Sequence, residues 1–217
     1  MLSHLGLRRA IGIIGIALPF VLAFGKMLSD GPGIESSISS YYHTGMRDVF
    51  VGAMCAIAIL LFAYKGYDYK DVIAGKLGAL FAVGVALVPT APESSEIPEE
   101  IFIGNVHLAF AGAFFLTLAY FSLYLFTKTH PHHAPTRQKR LRNRIYKVCG
   151  ALITVTLLFI AVVKLLPDLG GLGAMKPVFW LESVAVVAFG ISWLTKGEIL
   201  FRDASAAAAA PWVSRHS

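Results

Sequence analysis

The residues of this chain that could do chemistry are few: His43, Arg47, Asp48, His107 and Glu182, each inside an apolar stretch or in the connection that leads into one. Two chemistries can use such a set. In one, His43, His107 and a carboxylate, Asp48 or Glu182, hold Zn²⁺, and a bound water acts as the nucleophile of a membrane hydrolase. The chain has no HxxxH or HExxH spacing to support that reading. In the other, the same groups bind a small polar ligand or a lipid headgroup, with Arg47 and Lys26 meeting an anionic moiety. This needs no fixed spacing and is preferred. A purely structural role is the third possibility. Nucleophilic catalysis by a serine would need a base and an orienting group that the sequence does not assign.

The elements that must position these residues are six apolar stretches, Ala10–Met27, Val49–Tyr64, Val72–Pro89, Ile101–Thr127, Ile145–Leu166 and Val178–Thr195. A hydrocarbon core of about 30 Å needs about 20 helical residues, so each can span it, Val49–Tyr64 only just. Hydrophobic residues make up 56% of the 217 and charged residues 15%, outside the range of soluble domains. The expected fold is all-α: one bundle of six transmembrane helices over residues 1–203, with an Ala-rich tail at 204–217. Arg8-Arg9, an apolar run and Ala23-Phe24-Gly25 also resemble a signal peptide. The length of the run and Pro19 favour retention of this first helix.

Orientation follows the distribution of positive charge. With the N-terminus inside, fifteen of the nineteen Lys and Arg residues fall inside, leaving Lys26, Arg47, Lys164 and Lys176 outside. The Glu-rich connection Glu93–Glu100 falls outside, and an even number of spans returns the C-terminus inside. This is the pattern of a multi-pass protein of a bacterial-type inner membrane. It also accounts for the net charge of +6 without nucleic acid. The tract Arg137–Lys147 reads as an inside, lipid-facing cluster rather than a dock for an acidic partner.

In this frame the polar residues share a depth. His107 is six residues past Ile101, about 9 Å below the outer end of its helix, with Asn105 above it. Glu182 is four residues past Val178, about 6 Å deep. The inner halves carry almost nothing comparable. Ionisable groups at such depth are expensive unless paired or wetted, and mark candidate sites. We therefore expect His107 and Glu182 to lie within direct or water-bridged reach, under a roof made by Asp48 and the His43 connection.

That connection, Gly33–Asp48, is rich in hydroxyls and aromatics. In a structural reading its serines are turn and cap residues, Tyr41, Tyr42 and Trp180 form an interfacial belt, and Asp48 caps a helix. Elsewhere, Ala74, Gly78, Ala82 and Ala86 recur every four residues, which predicts a smooth stripe and a central third helix. Cys55 and Cys149 lie too far apart in depth to pair and read as apolar packers. His130, His132 and His133 read as part of an exposed inside loop.

The motifs Ile38-Ser39-Ser40-Tyr41-Tyr42, Arg47-Asp48-Val49-Phe50 and Val106-His107-Leu108-Ala109-Phe110-Ala111-Gly112 resemble bacterial six-helix membrane families of unknown function. They are also similar to the DRAM-type membrane proteins. The resemblance implies an integral membrane protein and no particular chemistry.

Overall fold

In the computed structural model, residues 4–92, 95–129, 136–165 and 175–200 are described. Among them the structure is helical: α1 (His4–Ser29), α2 (Arg47–Phe62), α3 (Tyr69–Leu87), α4 (Pro98–Tyr120), α5 (Arg137–Leu165) and α6 (Pro177–Lys196), with a 3₁₀ turn at Ser39–His43. A π-helical turn, Phe121–Leu125, extends α4 and was not foreseen. The Ala-rich tail, the Gly-rich stretch at 170–173 and His130, His132 and His133 lie outside the described residues.

Local chemistry sets several boundaries. Asp68 accepts from the backbone N–H groups of Lys70 and Asp71, and Asp71 reaches back to the N–H of Asp68, a reciprocal capping box. Pro98 and Pro177 sit in the first turns of α4 and α6, where a missing N–H carries no penalty. The basic tract expected in a loop instead forms the first turns of α5, which begins at Arg137.

Among the described residues, four helices are long and apolar enough to cross a membrane: α1, α4 with its π turn, α5 and α6. This suggests a membrane protein. At 16 residues α2 is about 24 Å long, and α3 carries Lys70, Asp71 and Lys76.

The third helix is not the centre. Its small residues Ala74, Gly78, Ala82 and Ala86 are buried as expected, but against α2 and α4. The most enclosed of the four long helices is α6, half buried over its apolar window and packed between α1 and α5. Gly12 and Gly190 permit this. A Cβ on Gly12 would come 2.8 Å from the Gly190 carbonyl oxygen, and one on Gly190 would come 2.7 Å from that of Gly12. Two backbones in contact make a close α1–α6 seam, with Ile16, Phe189 and Leu194 packed against its glycines.

Candidate functional site

The α1–α2 connection is fastened to the start of α6. Glu182, five residues past Pro177, accepts a 2.6 Å hydrogen bond from the backbone N–H of Ile38. One turn earlier, the Phe179 N–H donates to the Ser36 carbonyl at 2.9 Å. Tyr41 is fully buried, its ring 6.1 Å from that of Phe179, and its hydroxyl accepts from the Glu35 N–H. Burial pushes the Tyr41 phenol above its ordinary value. Ser37 and Ser40 bond each other at 2.7 Å, serving the turn. Lys26 pairs with Glu35 at 3.5 Å.

Of the three aromatic residues expected in an interfacial belt, Tyr41 is core and Tyr42 is half-buried, while Trp180 is 57% exposed.

The two histidines meet a different piece of backbone. His107 is 3% exposed, and its Nδ1 donates at 2.6 Å to the carbonyl of Val88, the residue that ends α3. A helix C-terminus leaves such carbonyls without intrahelical partners. His43, from the 3₁₀ turn, donates through Nε2 to the Thr90 carbonyl at 2.7 Å. The imidazoles therefore grip the α3–α4 connection two residues apart, and His43 lies within electrostatic range of His107. The other nitrogen of His107, Nε2, is buried and has no hydrogen-bond partner among the described residues.

Glu182 and His107 are both inside the bundle, but no hydrogen bond or ion pair between described residues joins them. Each is engaged by a separate stretch of backbone, while Lys164 of α5 lies within electrostatic range of both. Arg47 and Asp48 are exposed and make no salt bridge with each other. Arg47 lies over the Tyr42 ring at 4.5 Å and donates to its hydroxyl at 2.7 Å. Asp48 sits in the first turn of α2, where the helix dipole favours an anion, without a side-chain capping bond. Among the described residues, no group of three or more His, Cys, Asp or Glu side chains could hold a metal ion. His43, Asp48, His107 and Glu182 thus do not form a zinc ligand set.

The opposite end of the bundle is richer than expected. Asp71, fully buried, and Asp68 both receive Lys128, at 2.7 and 2.9 Å. The hydrogen bond from Lys128 holds the Asp68 carboxyl down at about 2. Burial opposes the charge on Lys128, but its bonds to Asp71 and Asp68 win and raise its pKa. Lys196, 6% exposed, lies over the rings of Tyr67 and Phe126 at 4.6 and 5.3 Å. Arg9 and Lys139 donate to the carbonyls of Gly197 and Phe126, at 2.9 and 3.0 Å. Cations that satisfy the last carbonyls of helices are stabilising, so this end reads as structural fastening. Of this arrangement the sequence signals only the start of α3, through the Asp68-x-x-Asp71 spacing.

No protein-family model, no curated protein and no solved structure matches this chain.

Proposed function

We propose that this protein crosses a bacterial-type inner membrane six times, with both termini on the Lys- and Arg-rich side, and binds a lipid headgroup or small polar ligand at the opposite end of the bundle. Large apolar side chains exposed on every helix support the six-span arrangement, among them Phe24, Phe62, Leu80, Phe102, Leu158 and Trp180. In water such a surface would aggregate, whereas in a bilayer it is the expected exterior.

The observation that carries the binding reading is His107. A buried imidazole with its Nδ1 proton committed to Val88 has an acceptor nitrogen left, and that nitrogen has no partner among the described residues. Unmet hydrogen-bonding capacity in a low-dielectric setting is costly, and a ligand donor would remove the penalty. His43 and Lys164 add polar groups within electrostatic range. The hydrolase reading has no comparable support, because its metal ligands do not converge.

Thermal stability in detergent can be followed with two probes, dihexanoyl-phosphatidylethanolamine and the chain-free headgroup glycerophosphoethanolamine. We expect a saturable rise in Tm for the wild type that His107→Gln loses, since Gln can keep the Val88 bond but not the imidazole acceptor. Equal responses of the two proteins to both probes would overturn the assignment.

A further inference from the structure

We infer that the cleft between α1 and α5 holds one acyl chain of an anionic phospholipid whose phosphate rests on Arg140 and Arg144. This rests on the membrane reading above but not on the His107 site. The cleft, about 810 Å³, has α6 as its floor and α1 and α5 as its walls. Its lining includes Phe20 and Phe24 of α1, Val148 and Leu152 of α5, and Trp180 and Val184 of α6. These six side chains are between 43% and 65% exposed. The one hydroxyl in the lining, that of Ser183, is bonded to the Phe179 carbonyl at 2.7 Å. The cleft therefore offers only apolar surface, Arg144 lining one end of it with its apolar stem.

Charge complementarity identifies the occupant. Arg144 lines both this cleft and a second, polar notch formed with Arg137, Arg140, Asn143 and Lys147. Arg140, Arg144, Val148 and Leu152 follow one another at intervals of four, so a single stripe of α5 passes from cationic to apolar. A molecule lying along it must be anionic at one end and hydrocarbon at the other. Length agrees. From Ile191 near Arg144 to Trp180 at the far end, the floor runs eleven residues of α6, about 17 Å. That is close to one leaflet's share of a ~30 Å hydrocarbon core. All three helices of the cleft are among the four long and apolar enough to cross a membrane. Basic pockets between helices on the Lys- and Arg-rich side suit anionic headgroups.

The test uses the full chain, purified in a maltoside detergent and titrated separately with dioleoyl-phosphatidylglycerol, dioleoyl-phosphatidylcholine and sn-glycerol 1-phosphate. Phosphatidylglycerol should raise Tm by about 5 °C or more at ~100 times its dissociation constant, and the other two should not. Arg140→Gln/Arg144→Gln should abolish the shift by removing the phosphate contacts. Val148→Trp should abolish it by filling the cleft from an exposed position. Equal shifts with phosphatidylcholine would mean unselective lipid coating and overturn the assignment. A shift with glycerol phosphate alone would mean that no chain is bound. An unchanged phosphatidylglycerol shift in either variant would place the lipid elsewhere. A dimer that Val148→Trp dissolves, without any lipid shift, would make a second copy of the chain the occupant. If a variant fails to fold, the wild-type comparison of the two lipids still decides. A protein that stays monodisperse without detergent would instead defeat the membrane reading, a separate result.

Discussion

Glu182 and Ile38 are joined by a 2.6 Å hydrogen bond in which a carboxylate inside α6 takes a backbone amide of the α1–α2 connection. Both residues are buried, at 9% and 5% exposure, so the amide has no water to turn to if the carboxylate is lost. Glu182→Leu should therefore cost about 1–3 kcal/mol, the penalty for a buried donor left unmet. Glu182→Gln keeps an acceptor and should lose less. Thermal unfolding in detergent would rank the variants, and proteolysis between Gly31 and Gly45 should accelerate only in the Leu protein. A Leu variant as stable as the wild type would mean that this bond does not hold the connection down.

The small-residue face of α3 makes a graded prediction. A Cβ at Gly75 would sit 2.8 Å from the backbone oxygen of Leu61, which cannot move without bending α2. A Cβ at Gly78 would sit 3.3 Å from two side-chain methyls, of Leu61 and Thr117, which can shift slightly. Gly75→Ala should destabilise by about 1–3 kcal/mol and Gly78→Ala by less, with Gly78→Leu as severe as Gly75→Ala. Thermal unfolding of the three variants checks the order. Equal stabilities would mean that the α2–α3 approach is looser than these distances.

The helices were legible because their signals are local. Apolar runs and the Ala/Gly stripe each announced an element without reference to its neighbours. The site was less legible because its key acceptors are backbone carbonyls. Nothing in the letters at positions 88 and 90 says that His107 and His43 will bond there. Shared depth correctly placed His107 and Glu182 inside the bundle, yet depth carries no rotational information, and the two engage different connections. The cation contacts at the other end were hidden for a related reason. Lys128 and Lys196 read as inside loop charges, and only folding shows that Lys128 meets Asp68 and Asp71 and that Lys196 is buried over the Tyr67 and Phe126 rings.

The Asp68–Lys128 contact sets a pH window. Asp68 has its folded-state pKa at about 2, below the ~3.9 of an unfolded carboxyl. Its contribution is therefore complete above about pH 4 and lost as pH falls through about 2. Lys128 is raised, so its contribution is complete below about pH 10.4 and lost at higher pH. Asp68→Asn preserves a good helix cap while removing the charge, which isolates this term. The stability gap between wild type and Asp68→Asn should be flat from about pH 5 to 9 and shrink on acidification towards pH 2. A gap that does not change across that acid range would show that the charge contributes nothing.

The last prediction tests the number of crossings and their orientation together. Fifteen of nineteen Lys and Arg residues on one side place Lys65 and Arg140 inside and Glu96 outside. All three positions are exposed, so cysteines there should be reachable, and Cys55 and Cys149 can be replaced by Ala beforehand. A membrane-impermeant maleimide should label Glu96→Cys on intact cells, and Lys65→Cys and Arg140→Cys only after permeabilisation. Glu96 and Arg140 are separated by α4, so opposite labelling requires α4 to cross. Lys65 and Glu96 are separated by α3, whose three charges and modest length make it the more demanding span. Arg140→Cys reacting from outside would invert the orientation. Lys65→Cys and Glu96→Cys both reacting from outside would make α2 and α3 a re-entrant pair that returns to the face it left, leaving four crossings by the long helices α1, α4, α5 and α6.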